Sequence, residues 1–328
     1  MKFLLTGIIA VFFSMGLQAK SIVIFSSRKP QLINPLLKQY TEKTGVKFEL
    51  RTGKDGALIQ QLKIEGEKAK ADVLMTVDAG NLWYAKTQNL FSPLGAKNFN
   101  HISQHLKDSE NHWVGLSIRA RTIVYHSDRV KSEEIKKYED LALPTWKDRL
   151  CLRTSKKVYN QSLVGMLIHE LGEERAKAVV KGWVNNTVKI FSSDTKLLKA
   201  IEAGQCDVGI VNTYYLGRIQ RDNPESKLRI LWPNQKSYGV HVNVSGAGVL
   251  KHSKNKSEAE KFLVWLSKKE AQATFAQLNL EFPVVENVKL DPITKKWGEF
   301  KQNTTFHLNK AGEFQKNAIK LMQEVNYR

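Results

Sequence analysis

Strand-like and helix-like stretches alternate along this chain, and that alternation limits its fold more than any other feature. Residues 21–25 form a short apolar run of strand type. A helix over 30–45 follows, with Pro30 in its first turn and Gly45 past its last. A second strand over 47–51 leads to Asp55, read as the N-cap of a helix that carries Leu58, Ile59 and Leu62 and stops at Gly66. Residues 71–77 make a buried strand that ends at Asp78-Ala79-Gly80, before a short helix. The rhythm then repeats. Strands are expected over 122–126, 150–153 and 188–191, a helix over 161–171, and a helix over 195–204 capped by Ser192-Ser193-Asp194. The run from Asp207 to Asn212 is an apolar strand leading through a polar turn to Tyr214-Tyr215. Residues 238–246 alternate as a strand, and helices dominate from Ser257 onward. This rhythm predicts an α/β chain with a mostly parallel sheet and covering helices, in two lobes joined by long strand-like connections.

The N-terminus sets the compartment. Met1-Lys2 is a short positive start, residues 3–17 are almost wholly apolar, and Gln18-Ala19 precede the polar chain that begins at Lys20. That is the layout of a secretory signal peptide over 1–19, cleaved near Ala19. It is too short for a comfortable membrane span, which needs about 20 apolar residues. The mature chain is therefore expected to be soluble and periplasmic, and it is long enough for two lobes, since single cores stop growing near roughly 250–300 residues. The net charge of +19 points to an anionic partner or surface. The positive residues are spread along the chain with no basic helix carrying interleaved aromatics, so nucleic acid is not an expected partner. Cys151 and Cys206 are the two cysteines. In an oxidising compartment an even count favours a disulfide; the alternative is two buried thiols.

Ligand sites in α/β proteins gather at strand ends, and three ends stand out. Tyr214-Tyr215 offers two hard oxygen donors of the kind that a hard, highly charged metal ion prefers; alternatively, one tyrosine packs in the core and the other faces solvent. Ser26, Ser27 and Arg28 follow the first strand and provide donors at a helix N-terminus, suited to an anion or to simple capping. Asp78 ends the third strand. Arg119 and Arg121 alternate on one face of a strand, where they either hold an anion bidentately and favour tyrosinate or form a solvated sheet edge. Tyr159, just before a helix, is a third phenol or a structural tyrosine. His101 and His105 have zinc-compatible spacing but no carboxylate pattern beside them, and are expected on an exposed polar helix. His169 and His241 are read as satisfied structural groups. Ser245-Gly246-Ala247-Gly248 is read as a glycine turn and not a phosphate loop. No nucleophile–base constellation supports an enzyme.

Several stretches resemble one family. Residues 115–125, Tyr159-Asn160-Gln161-Ser162-Leu163 and Asn212-Thr213-Tyr214-Tyr215 are similar to the ferric-ion substrate-binding proteins of bacterial ABC transporters, the FutA/FbpA group. Ala71-Asp72-Val73-Leu74, Thr76-Val77-Asp78-Ala79-Gly80 and His241-Val242-Asn243-Val244-Ser245-Gly246 add to the resemblance, which runs in order through nearly the whole mature chain. It implies a two-lobed α/β clamp of the type II periplasmic-binding-protein kind, with Fe(3+) in the interlobe cleft. The lobes would be 20–118 plus 240–290 and 119–239 plus 291–328. Tyr159, Tyr214 and Tyr215 are the metal ligands it implies. Arg119 or Arg121 would serve a synergistic anion such as carbonate or citrate, with Ser26, Ser27, Arg28 and Asp78 as further groups for the anion or behind the ligands. The cysteines sit where many members carry a disulfide. The implied partners are an ABC permease and its ATPase, with the binding protein itself a monomer.

One departure matters. Many members place a His-Tyr or related ligand after Ser-Ser-Arg, where this chain has Lys29-Pro30. Three phenolates alone would balance Fe(3+), and the ion would depress their pKa values from about 10, leaving open positions for water or a small chelator. A clamp of the same fold for an anionic organic solute or an iron chelate is the alternative.

Overall fold

The structure, a computed structural model, describes residues 21–328. The leader expected over 1–19 lies outside the described residues. The first lobe opens with β1 (Ser21–Ser26), α1 (Pro30–Thr44), β2 (Lys47–Thr52), α2 (Asp55–Glu65), β3 (Val73–Thr76) and α3 (Ala79–Thr87). Helix α1 forms because Ile33, Leu36, Leu37 and Tyr40 bury one face at helical spacing, and Gly45 ends it in the left-handed conformation at φ 74°. Helix α2 starts one residue earlier than expected: Lys54 takes the N-cap position and Asp55 lies inside the first turn.

Strand β4 (Val114–His126) is the structural axis. It is 13 residues long, buried throughout, and changes partners part-way. It is followed by β5 (Leu150–Arg153), α4 (Val158–Leu171), α5 (Glu173–Asn186), β6 (Thr187–Phe191), α6 (Asp194–Glu202), β7 (Val208–Asn212), α7 (Thr213–Asp222) and β8 (Leu228–Leu231). Ser193 caps α6, its hydroxyl accepting from the Lys196 N–H at 3.1 Å. Strand β9 (Val242–Val249) returns to the first lobe, and α8 (Lys256–Leu266), α9 (Lys269–Asn279), α10 (Pro292–Lys296), α11 (Lys310–Glu313) and α12 (Gln315–Glu324) complete the chain.

The strands run in the order β2-β1-β3-β9-β4-β7-β5-β6, with β8 paired to β4. The outer strands of each lobe are parallel, as expected: β1 with β2 and β3, and β5 with β6 and β7. The middle is not. Strand β9 runs antiparallel to β3 and β4, and β4 runs antiparallel to β7 and β8. The mostly parallel sheet is thus corrected to a mixed one, because β4 and β9 join the two parallel groups through antiparallel pairing. Residues Val114 to Ala120 of β4 pair with β9, and Arg121 to Tyr125 pair with β7.

The buried apolar residues divide in the same way. One core joins Ile22, Ile24, Ile33, Leu74 and Ala120 with Val242, Phe262 and Phe275. Two others fill the second lobe, one around Ile123, Leu163, Trp183 and Met322, the other around Cys151, Leu197, Cys206 and Val211. Cys151 and Cys206 form a disulfide within that last core.

The glycine turn expected at Ser245-Gly246-Ala247-Gly248 is instead the buried interior of β9. A Cβ on Gly246 would lie 2.5 Å from the Val114 carbonyl oxygen, and one on Gly248 2.6 Å from that of His112. These glycines permit close backbone approach rather than a reversal. His101 and His105 do not share a helix; they bond to Ser267 and Gln302 respectively.

Candidate metal centre

The three tyrosines nominated by the sequence meet at one place. Strand β7 ends at Asn212, and α7 begins at Thr213, so Tyr214 and Tyr215 occupy the first helical turn rather than a polar turn before a helix. Tyr159 likewise lies in the first turn of α4, not ahead of it. The Tyr214 and Tyr215 rings have centroids 4.4 Å apart, and the Tyr159 phenol lies close enough to both for them to perturb its ionisation. Among the described residues no group of three or more His, Cys, Asp or Glu is gathered for a metal. The phenols are therefore the candidate donor set, and a hard trivalent cation is the ion that suits them.

Electrostatics describe the site without cargo. Burial pushes the Tyr159 phenol above its ordinary value, with Arg119 opposing the shift. Burial, and then repulsion from Tyr159 and Tyr215, push Tyr214 well above its own. Gathering phenolates is unfavourable until a cation sits among them. Guanidinium groups surround the phenols. Arg119 and Arg153 each lie 5.6 Å from the centre of the Tyr159 ring, and Arg218 lies 5.0 Å from that of Tyr214 and 5.7 Å from that of Tyr215.

Behind the phenols, Arg121 organises the second lobe. It is 1% exposed. Its Nε donates to Asn160 Oδ1 at 2.7 Å, its Nη1 to Asn212 Oδ1 at 3.1 Å and Asp194 Oδ2 at 3.3 Å, and its Nη2 to the Ile210 carbonyl at 3.0 Å. Asn212 in turn donates to the Tyr214 phenol at 3.3 Å. Arg121 is thus committed behind the ligands and does not form a solvated sheet edge. Arg119 is also buried, with Nη2 donating to the Val77 carbonyl, but its Nε has no hydrogen-bond partner. Thr213 Oγ1, wholly buried beside Tyr214, has none either.

A model of the bacterial extracellular solute-binding protein family matches residues 68–303. The chain is 38% identical over 319 residues to iron uptake protein A1 of Synechocystis, covering 95% of this chain and 88% of that one. The chain belongs to the bacterial extracellular solute-binding protein family. A solved Trichodesmium FutA (IdiA) in complex with iron and citrate ligands matches with a TM-score of 0.90 and 39% identity, over 94% of this chain and all of that one. Apo FutA2 from Synechocystis matches with a TM-score of 0.88 and 34% identity, over 95% of this chain and all of that one. These matches place the chain in the FutA/FbpA group, with the two-lobed type II fold. Its relatives are substrate-binding transport proteins rather than enzymes.

The first-lobe face of this solute-binding protein differs from its second. Lys29 is the extended N-cap of α1 and makes no side-chain cap, and Pro30 starts the helix. Ser26 is buried, its hydroxyl accepting from the Arg28 N–H at 3.0 Å; Ser27 is half-buried and accepts from the Val77 N–H at 3.1 Å. Both hydroxyls serve the local backbone. Arg28 is 2% exposed, paired with Glu281 and donating to Ser245 Oγ at 2.6 Å, so its guanidinium does not stand open to the cleft. Asp78 caps α3, taking the Gly80 N–H at 2.8 Å on Oδ1 and the Asn243 amide at 2.8 Å on Oδ2. Burial lifts its pKa to about 7, opposed by Arg119.

Sequence reasoning missed Arg153, Asp194, Arg218 and Asp55 as parts of this region. Arg153 ends β5 and lies 3.2 Å from Asp194 Oδ2; its place at a strand end was a usable signal. Arg218 lies four residues after Tyr214, the helical spacing that brings side chains together. That signal was hidden by reading a turn where α7 begins.

Proposed function

We propose that this chain captures ferric iron in its interlobe cleft through the phenolates of Tyr159, Tyr214 and Tyr215. A small carboxylate anion such as citrate, or carbonate, fills positions the protein leaves open. The convergence of the three phenols on a cation-lined cleft carries this reading. Three phenolates balance the charge of the ion, and the surrounding guanidinium groups and unpartnered donors at Arg119 Nε and Thr213 Oγ1 suit the anion that accompanies it. The iron-uptake relatives, and the iron and citrate held by the Trichodesmium protein, support the same cargo.

In this proposal the lobes are 20–118 plus 240–290 and 119–239 plus 291–328, with β4 and β9 as hinge strands. The leader is cut near Ala19, and the mature monomer carries iron through the periplasm to the permease and ATPase of an inner-membrane ABC importer. Among the described residues no helix is long and apolar enough to cross a membrane.

Calorimetric titration tests the cargo. Ferric citrate should bind at one iron per chain, and citrate alone should bind weakly. Tight binding of citrate that iron leaves unchanged would instead favour a clamp for an anionic organic solute.

A further inference from the structure

The three phenolates all come from the second lobe, and a six-coordinate cation held there still presents a face to the first. Lys29 and Pro30 offer no ferric ligand on that face. We infer that Asp55 supplies the first lobe's part of the site: its carboxylate accepts a hydrogen bond from a water or hydroxide carried by the ferric ion. This inference rests on the ferric reading above.

Three observations lead to Asp55. Its Oδ1 is buried with no hydrogen-bond partner, and Asp55 opens α2 just after β2, whose end is tied to the end of β1 by the Gly53 N–H donating to the Ser26 carbonyl at 3.1 Å. A buried acceptor left unpaired is costly and calls for a partner. Second, that strand end leads to the phenols: Ser27, next to Ser26, accepts from the Val77 N–H at 3.1 Å. The Val77 carbonyl takes the Arg119 guanidinium, which lies over the Tyr159 ring and keeps its own buried Nε unpartnered. Arg119 is 4% exposed, so this free donor is directed into the protein and not into bulk solvent. Third, the neighbouring acids are occupied. Both Asp78 oxygens accept hydrogen bonds, and Glu281 is paired with Arg28. Asp55, close enough to Arg119 to feel its charge, has a buried oxygen to give.

The chemistry is that of an outer-sphere carboxylate. A metal-bound water is a strong donor because the cation withdraws its electrons, and carboxylates that accept from ligands in this way typically change metal affinity by about 10–100-fold. Asp55 acts as a positioning residue and leaves the three iron–phenolate bonds intact.

The test uses the full mature protein with ferric citrate. Wild type, Asp55→Asn and Asp55→Glu are compared by iron loss to excess EDTA, by the phenolate-to-iron absorption band and by melting of the iron-free protein. Asp55→Asn should lose iron about 10–100-fold faster. Its band should persist and move to longer wavelength, because iron deprived of an anionic acceptor draws more strongly on its phenolates. The iron-free variant should melt no lower than wild type, since a negative charge that burial disfavours has been removed, and Asp55→Glu should recover part of the iron retention. Unchanged retention and band position in Asp55→Asn, with wild type binding iron, would overturn the inference and leave the ferric reading standing. A lowered melting point with the band lost would show that Asp55 merely supports the fold, and would overturn it too. Failure of wild type itself to bind iron overturns the ferric reading.

Discussion

The rings of Tyr214 and Tyr215 lie with centroids 4.4 Å apart and planes tilted by 37°. Adjacent residues achieve this because both sit in the first turn of α7, where Tyr214 turns inward to 6% exposure and Tyr215 stays half-buried. The two alternatives for an adjacent pair, core packing and ligand presentation, are therefore not exclusive. Tyr214 is buried and still meets Tyr159, which arrives from α4.

The first prediction concerns protons. Tyr159 and Tyr214 have raised pKa values, so both are protonated near neutrality without cargo and must lose protons to bind iron. Ferric affinity should rise with pH, by about tenfold per unit for each proton released. Calorimetry in buffers of different ionisation enthalpy should show at least two protons released per iron. Release of none would mean that neither phenol becomes a ligand.

The second concerns acid stability without iron. Burial, with Arg121 and Arg119, lowers His241 to about 3. Its unfolded value is about 6.5, so its contribution is fully present above pH 6.5 and is lost as pH falls toward 3. Asp78 does the reverse. Raised to about 7, it contributes most below its unfolded pKa, and that contribution is lost as pH rises through about 7. Each proton changes stability by at most about 1.4 kcal/mol per pH unit. His241→Gln should flatten the loss of stability in acid, and Asp78→Asn should remove a decline between about pH 4 and 7. Denaturant melts at several pH values measure both slopes.

The third concerns Arg121. Its four hydrogen bonds hold Asn160, Asp194, Asn212 and β7 together behind the site. A lysine cannot reproduce a planar fork. Arg121→Lys should destabilise the iron-free protein by about 3 kcal/mol, because Asp194 and two amides lose a buried partner. It should also weaken iron binding by freeing Asn212 beneath Tyr214. Urea titration and iron competition with citrate read the two effects separately.

The fourth concerns the disulfide. Cys151 and Cys206 lie in the second-lobe core with Leu197 and Ile201, a core against which Tyr215 also packs. Replacing both with alanine should reduce stability by about 2–4 kcal/mol while folded protein keeps its iron affinity. Loss of affinity in the folded variant would place the bridge in the site.

Much of the fold was legible because apolar periodicity marks α/β units whatever their partners. Ile33, Leu36, Leu37 and Tyr40 define α1 without tertiary information. The crossing strands were less legible. Strand β4 is buried along both faces, so no alternation marks its length, and Gly246 and Gly248 signal a turn by composition when their task is to admit neighbouring carbonyls. The tyrosines could be nominated because each begins a helix next to a strand end. The groups that position them could not. Arg153, Asp194 and Asn212 come together only through strand pairing and helix placement, and the free oxygen of Asp55 is visible only once the start of α2 is placed beside the end of β1.

The most direct test is the visible spectrum and iron content of the purified protein with ferric citrate, beside Tyr214→Phe/Tyr215→Phe. Wild type should hold one iron and show a phenolate-to-iron charge-transfer band, and the double variant should lose the band and most of the iron. Full iron loading with no such band in wild type, or an undiminished band in the double variant, would contradict capture of ferric iron by these tyrosines.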